Sequence, residues 1–181
     1  ASNVERMVAF YNSELVRFNQ THSGLDTKAR NALVDGFIDT DPQHISWTRA
    51  LKQDLAKNKP LEFYSSCLTT SLYRPFAKQN LYFDRRLNEM VYQMPRIFPE
   101  GDKTNNLVIS VSGNGANTFS CLITNQLPDL NSMDAGAQCF PLHLYERNKD
   151  GANNVGGMDD IFAEKAIAKS EVEYTLYPIK H

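Results

Sequence analysis

NLVISVS at Asn106–Ser112, Gly113-Asn114-Gly115 behind it, and FSCLIT at Phe119–Thr124 form the stretch that decides the fold class. The first run is rich in β-branched and aliphatic residues and ends at turn formers, as a strand does. Glycine and asparagine at the break favour a tight turn. The second run then returns, so the pair reads as a hairpin or as two neighbouring core strands.

Working outward, QCFPLHLY at Gln138–Tyr145 reads as a last strand, with Pro141 marking an edge or a bulge. Asp150–Gly157 is a polar loop, Asp159–Lys169 a helix with Ile161, Phe162 and Ala166 inward, and Val172–Ile179 a closing strand. Upstream, Leu81-Tyr82-Phe83 is a short strand, and Pro95 limits any helix in Glu89–Phe98 to one or two turns. Before Pro60 the period is helical. Val4, Met7, Val8, Tyr11, Leu15 and Phe18 recur at spacings of three and four behind a Ser2 or Asn3 cap. A shorter helix covers Lys28–Gly36, and Asp39-Thr40-Asp41-Pro42 forms a turn or cap. A third helix runs Ser46–Lys57, capped by Ser46, with Trp47, Leu51 and Leu55 on one face. Helices first and strands later predict an α+β fold: N-terminal helices, then a mixed, mainly antiparallel sheet with a C-terminal helix. The expected organisation is a single domain over 1–181. Within it, residues 1–58 are helical, 61–146 are strand-rich, and 147–181 hold a loop, a helix and a closing strand.

A chain of 181 residues with 41% hydrophobic and 22% charged residues can bury a core without staples. The net charge of −2 excludes a strongly basic nucleic-acid binder at whole-chain level, though not a local basic face. No apolar run approaches the ~18 residues of a membrane span. The N-terminus is mixed in charge and helical in pattern, unlike a signal peptide. Cys67, Cys121 and Cys139 lie far apart, which argues against disulfides and zinc and for reduced, mostly buried thiols in a cytoplasm. The opening Ala1-Ser2-Asn3, without methionine, predicts a piece of a longer polypeptide.

Catalytic signatures are missing. Ser112-Gly113-Asn114-Gly115 lacks the Lys-Ser/Thr of a phosphate loop and reads as a turn. No nucleophile elbow, His-Glu-x-x-His pair or dinucleotide fingerprint occurs. Asp159-Asp160 reads as a helix-start pair at the positive end of the dipole. His143, between Leu142 and Leu144, is a surface or satisfied core histidine, or one available for binding. The informative stretch is LYRPFAKQNLYFDRR at Leu72–Arg86. Arg74, Lys78, Arg85 and Arg86 face a single acid, Asp84, and Tyr73, Phe76, Tyr82 and Phe83 interleave with them. Cations suit phosphate contact, arginine can read guanine, and aromatics can pack on bases or sugars. The competing reading is a solvated strand edge whose charges discourage pairing. Arg49 and Lys52, on the preceding helix, are second-tier candidates.

Tyr73-Arg74-Pro75-Phe76 followed by Leu81-Tyr82-Phe83-Asp84-Arg85 resembles an element of the C-terminal region of type ISP restriction-modification enzymes. Asp41-Pro42, Ile45-Ser46-Trp47 and Leu51-Lys52 upstream resemble the same family. So do Asn88–Pro95, Asn106–Ile109, Phe119–Thr124, Leu127-Pro128-Asp129 and Cys139–Tyr145, in the family's order. The resemblance covers residues 4–146; Asn148–His181 does not match the tyrosine-rich helical segment of many members. It implies a bacterial parent that joins nuclease, ATP-driven translocase, adenine methyltransferase and target recognition domain. This chain would be the target recognition domain or part of it, without catalysis of its own. ATP, Mg and S-adenosylmethionine would belong to the parent, and this chain would need no cofactor. The implied partners are double-stranded DNA and the adjacent methyltransferase and helicase domains, with no membrane. Two rivals stand beside this expectation. One is a structural coupler that docks on the methyltransferase without touching DNA. The other is a hydrolase built on Asp129 or His143.

Overall fold

The computed structural model describes residues 2–113, 118–133, 136–147 and 166–171. They fall into two compact units, one of residues 2–68 and 82–91 and the other of residues 69–81 and the described residues from 92 onward. The fold is α+β, helices first and sheets after.

The first unit is built on α1 (Ser2–Thr21), α2 (Thr27–Phe37) and α3 (Arg49–Ala56). The stripe on α1 buries Tyr11, Leu15 and Phe18 against Val34, Ile38, Ile45, Leu51, Leu55 and Leu61. Met7 and Val8 cover its margin. Asp26 caps α2, its carboxylate accepting the Ala29 N–H at 2.7 Å. The third helix starts later than its sequence predicts. Thr48, not Ser46, is the cap: its Oγ1 accepts the Leu51 N–H at 3.1 Å and donates to the Arg86 carbonyl. Both hydroxyl residues qualify locally, and the tertiary partner of Thr48 decides between them. Trp47 therefore stands outside the helix. Its Nε1–H donates to the Asp39 carbonyl at 2.7 Å, and its ring tilts on Tyr11 at 5.8 Å.

Polar groups close this unit. Asn12 pairs with both backbone groups of Leu61, donating to its carbonyl at 2.8 Å and accepting its N–H at 3.0 Å. Tyr11 donates to the Lys59 carbonyl at 2.9 Å, and burial pushes its phenol pKa far up. Arg30 is buried under the C-terminal ends of two helices. Its Nε–H donates to the Ala56 carbonyl at 2.7 Å, and the other nitrogens reach the carbonyls of His22 and Leu55 and the Asn19 side chain. A cation there complements the negative ends of the helix dipoles. Residues 82–91 return to these helices. The Phe83 N–H donates to the Cys67 carbonyl at 2.8 Å, and Tyr82 stacks on Phe63 at 5.5 Å. The Tyr82 hydroxyl accepts the Tyr64 N–H at 3.0 Å, and burial pushes its pKa up to about 12.

The second unit carries β1 (Leu68–Arg74) and β2 (Ala77–Tyr82), joined by the two-residue turn Pro75-Phe76. Strand β5 (Leu127–Pro128) adds to β1 in parallel, with Ser71 opposite Leu127 and Leu72 opposite Pro128. A second sheet has the order β4-β3-β6, antiparallel throughout, from β3 (Val108–Val111), β4 (Cys121–Thr124) and β6 (Gln138–Pro141). The pair expected at 106–124 is thus a β-hairpin, although Asn114 and Gly115 of its turn lie outside the described residues. The run expected as one strand over 138–145 is divided at Leu142 into β6 and β7 (His143–Arg147). Pro141 ends β6 on the sheet edge, where its missing donor costs nothing.

The expected C-terminal helix is overturned where its end is described. Ala166–Lys169, read as the end of a helix, lies in strand β8 (Ala166–Glu171), antiparallel to β7 with His143 opposite Glu171. Helix propensity is a weak prior, and a ready strand partner outweighs it. The remainder of that expected helix, the 150–157 loop and the 172–179 strand lie outside the described residues.

Asn106 holds this unit together where β3 begins. Its Nδ2 donates to the carbonyls of Ile97, in the short helix α4 (Met94–Ile97), and His143, each at 2.8 Å. Its Oδ1 accepts the N–H groups of Leu107 at 2.9 Å and His143 at 3.1 Å. Phe98, Val108, Leu127 and Ser110 are buried. The opposite face of the β4-β3-β6 sheet is open: Ile123, Ile109 and Phe140 lie across from one another and are all exposed. Cys121 shares that alternation and is exposed, against the expectation of a buried thiol; Cys67 is buried and Cys139 half-buried. None of the three is in a disulfide among the described residues, and burial pushes the Cys139 thiol up.

Candidate nucleic-acid interface

In the second unit the candidate residues Arg74 and Lys78 sit on the β1–β2 hairpin. Proline fixes φ at the first central turn position, and Phe76 needs no left-handed backbone. The turn therefore thrusts the Phe76 ring outward, 94% exposed. Arg74 leads into the turn. Its guanidinium lies 4.3 Å over the Tyr73 ring and donates to the Asn131 carbonyl at 2.8 Å. Those contacts orient the group without pairing its charge, since neither partner is an anion, and no ion pair of Arg74 occurs among the described residues. Lys78, on the other arm, is exposed, and no ion pair or hydrogen bond of its amine occurs among the described residues.

The remaining four candidates lie in the first unit. Arg86 is engaged: its Nη2–H and Nε–H donate to the Asp84 carboxylate at 2.8 and 3.2 Å, and its backbone N–H does so at 2.7 Å. Burial disfavours the charged guanidinium, but the hydrogen bonds and charge of Asp84 outweigh it and hold its pKa above the usual arginine value. Arg85 is exposed and is not in an ion pair among the described residues. Arg49 pairs with Glu89, which also accepts its backbone N–H at 2.9 Å. That pairing holds the Glu89 carboxyl below its usual range. Lys52 pairs with Asp35 at 2.8 Å. The Thr48–Arg86 and Arg49–Glu89 contacts bring α3 and the 84–89 turn together, so Arg49 and Arg86 share one locality. Exposed pairs such as Arg49–Glu89 and Lys52–Asp35 are weak and exchange readily.

A hollow of 460 Å³ opens in the second unit. Leu72, Pro75, Phe76 and Lys78 of the hairpin line one side, and Ile123, Thr124, Asn125 and Gln126 of the β4–β5 turn line the other. The sequence reading missed Asn125 and Gln126, because neither carries charge and both look like turn filler. Their signal was positional: two carboxamides between adjacent short strands. The Thr124 Oγ1 accepts the Gln126 N–H at 3.0 Å, and the Gln126 Nε2–H donates to Asn125 Oδ1 at 3.1 Å.

The alternative chemistry has little geometry behind it. Asp129 Oδ1 accepts the Asn131 N–H at 2.8 Å and serves the turn. His143 is half-buried, its Nδ1 enclosed without a hydrogen-bond partner. Among the described residues, no three His, Cys, Asp or Glu side chains converge as a metal would require. No helix among them is long and apolar enough to cross a membrane.

The arrangement defines an α+β module that presents cations and carboxamides on exposed turns. The family described as the type ISP C-terminal specificity domain matches residues 1–179, and the chain belongs to that family. It is similar to the type ISP restriction-modification enzyme LlaGI, solved as a nuclease-deletion mutant with a DNA substrate mimic. That match has 35% identity and a TM-score of 0.71, over 80% of this chain and 14% of that one. It is similar to DrdV in a DrdV–DNA complex, with 33% identity and a TM-score of 0.64 over 79% of this chain and 13% of that one. It is also similar to the ATP-dependent type ISP enzyme LlaBIII bound to DNA, with 29% identity and a TM-score of 0.65 over 82% of this chain and 9% of that one. The chain thus spans a small fraction of each relative's length. No curated protein matches it.

Proposed function

We propose that residues 1–181 act as one module that selects the DNA sequence on which a longer restriction-modification polypeptide works. The observation that carries this reading is family membership over 1–179, joined to three similar chains each solved with DNA or a DNA mimic. The module binds duplex DNA and performs no chemistry. Lys78, Arg85 and Arg74 make phosphate or base contacts. Arg49 and Lys52 contribute by exchanging their carboxylate partners for phosphate, and Arg86 chiefly holds the turn that presents Arg85. The parent is an ATP-dependent endonuclease and adenine methyltransferase of the cytoplasm. It supplies ATP, Mg and S-adenosylmethionine sites and adjoins this module through its methyltransferase and helicase domains.

A second reading, the coupler, is favoured by one feature. The Ile109, Ile123 and Phe140 face is apolar and open, as a surface for a neighbouring domain would be. The two readings assign different surfaces and separate by salt dependence. Binding of the polypeptide to duplex DNA should lose about one unit of log–log salt slope in each of Lys78→Ala and Arg85→Ala. Arg86→Ala should instead lower the unfolding midpoint. A wild-type slope in both Lys78→Ala and Arg85→Ala would remove these residues from the interface and favour the coupler.

A further inference from the structure

We propose that the hollow between the β1–β2 hairpin and the β4–β5 turn is a base-reading site, in which Asn125 and Gln126 together recognise an adenine edge in the major groove. The inference rests on the reading that this module recognises DNA, and it adds the residues and the base.

The argument starts from the amide pair. Gln126 Nε2–H donates to Asn125 Oδ1, so that oxygen is engaged and the two side chains are fixed to one another. The groups left to face a ligand include the Asn125 NH2 as donor and the Gln126 Oε1 as acceptor, beside the second N–H of the Gln126 amide. Adenine offers the complement in the major groove, an N7 acceptor beside an N6 donor. Guanine offers two acceptors there and no donor for the Gln126 Oε1. Cytosine offers a donor without the acceptor, and thymine an acceptor without the donor.

The scaffold under the pair is firm, as reading a base edge requires. Thr124 Oγ1 holds the turn through the Gln126 N–H. Leu127 and Pro128, directly after it, pair with Ser71 and Leu72 of β1, so the amides and the hairpin are built on one sheet. The hairpin then supplies the other two needs of a groove contact. Lys78 lines the same hollow and has no carboxylate partner among the described residues, which leaves its amine for a phosphate. Phe76 carries an aromatic ring almost wholly in water on its rim, which suits the C5-methyl of a thymine beside the adenine.

The test is selection of bound duplexes from a pool with randomised positions by the polypeptide that carries this chain, followed by sequencing. The probe is that pool, with Asn125→Ala, Asn125→Asp, Gln126→Ala, Phe76→Ala and Lys78→Ala beside wild type. Wild type should enrich a motif containing an adenine. Asn125→Ala and Gln126→Ala should lose about tenfold preference at that one position and keep the others. Asn125→Asp, which keeps the size and removes the donor, should lose the same position. Phe76→Ala should relax an adjacent thymine, and Lys78→Ala should weaken all sequences alike. A wild-type motif unchanged in the Asn125 and Gln126 variants overturns the inference while leaving DNA recognition intact. Loss of every position in a folded Asn125→Asp protein also overturns it, because the turn would then position rather than read. A wild-type polypeptide that enriches no motif overturns both this inference and the reading it rests on.

Discussion

Asp84→Asn is expected to destabilise the first unit by about 3–5 kcal/mol, the usual cost of removing one partner from a buried ion pair. Asp84 is 2% exposed, and its carboxylate takes three N–H groups from Arg86. The replacement amide keeps one oxygen but sets an NH2 donor against guanidinium donors, leaving a half-buried cation uncompensated. The backbone of Asp84 is committed as well: its carbonyl accepts the N–H groups of Leu87 and Asn88 and the Asn88 side chain. Loss of the pair should therefore loosen the turn that carries Arg85 and Glu89. Trp47, the single tryptophan, lies in this unit and reports its unfolding by fluorescence. The urea midpoint should fall with little change in slope. An unchanged midpoint would mean that the pair contributes nothing.

Arg30→Met should cost about 2–4 kcal/mol in the same measurement, from buried acceptors left without donors. Methionine keeps an unbranched stem against Phe18, over whose ring the guanidinium lies at 4.8 Å. It cannot donate to the carbonyls of His22, Leu55 and Ala56, nor to Asn19. The helix dipoles that end at those carbonyls also lose a cation. A loss below about 1 kcal/mol, less than one unsatisfied buried acceptor costs, would indicate that water reaches the carbonyls and takes over the role of Arg30.

Much of this architecture was legible in the residues. The α1 stripe is long and strictly periodic, so burial of Tyr11, Leu15 and Phe18 follows from spacing alone. The two strands within 106–124 were equally clear, because β-branched runs flank glycine and asparagine, though a hairpin and two neighbouring core strands both fitted them. The misjudged boundaries are those that a distant partner decides. Thr48 outcompetes Ser46 through the Arg86 carbonyl, 38 residues away. Ala166–Lys169 becomes strand through β7, which local propensity cannot reveal. The site shows the same division. Charge counting singled out Arg74, Lys78, Arg85 and Arg86 as candidates but could not tell which of Arg85 and Arg86 Asp84 would take. A bidentate pair two residues apart needs the turn geometry of residues 84–88, and that geometry belongs to the packing on α3. Asn125 and Gln126 were invisible for another reason: recognition by neutral amides leaves no trace in net charge.

The central claim is that this module, and no other region of its polypeptide, chooses the DNA sequence. Replacing residues 1–179 in the parent by the matching segment of LlaGI, then sequencing the duplexes that the chimera binds from a randomised pool, tests it most directly. The selected motif should become that of LlaGI. A motif that stays with the parent, in a chimera that folds and binds, would contradict the claim and assign sequence choice elsewhere in the polypeptide.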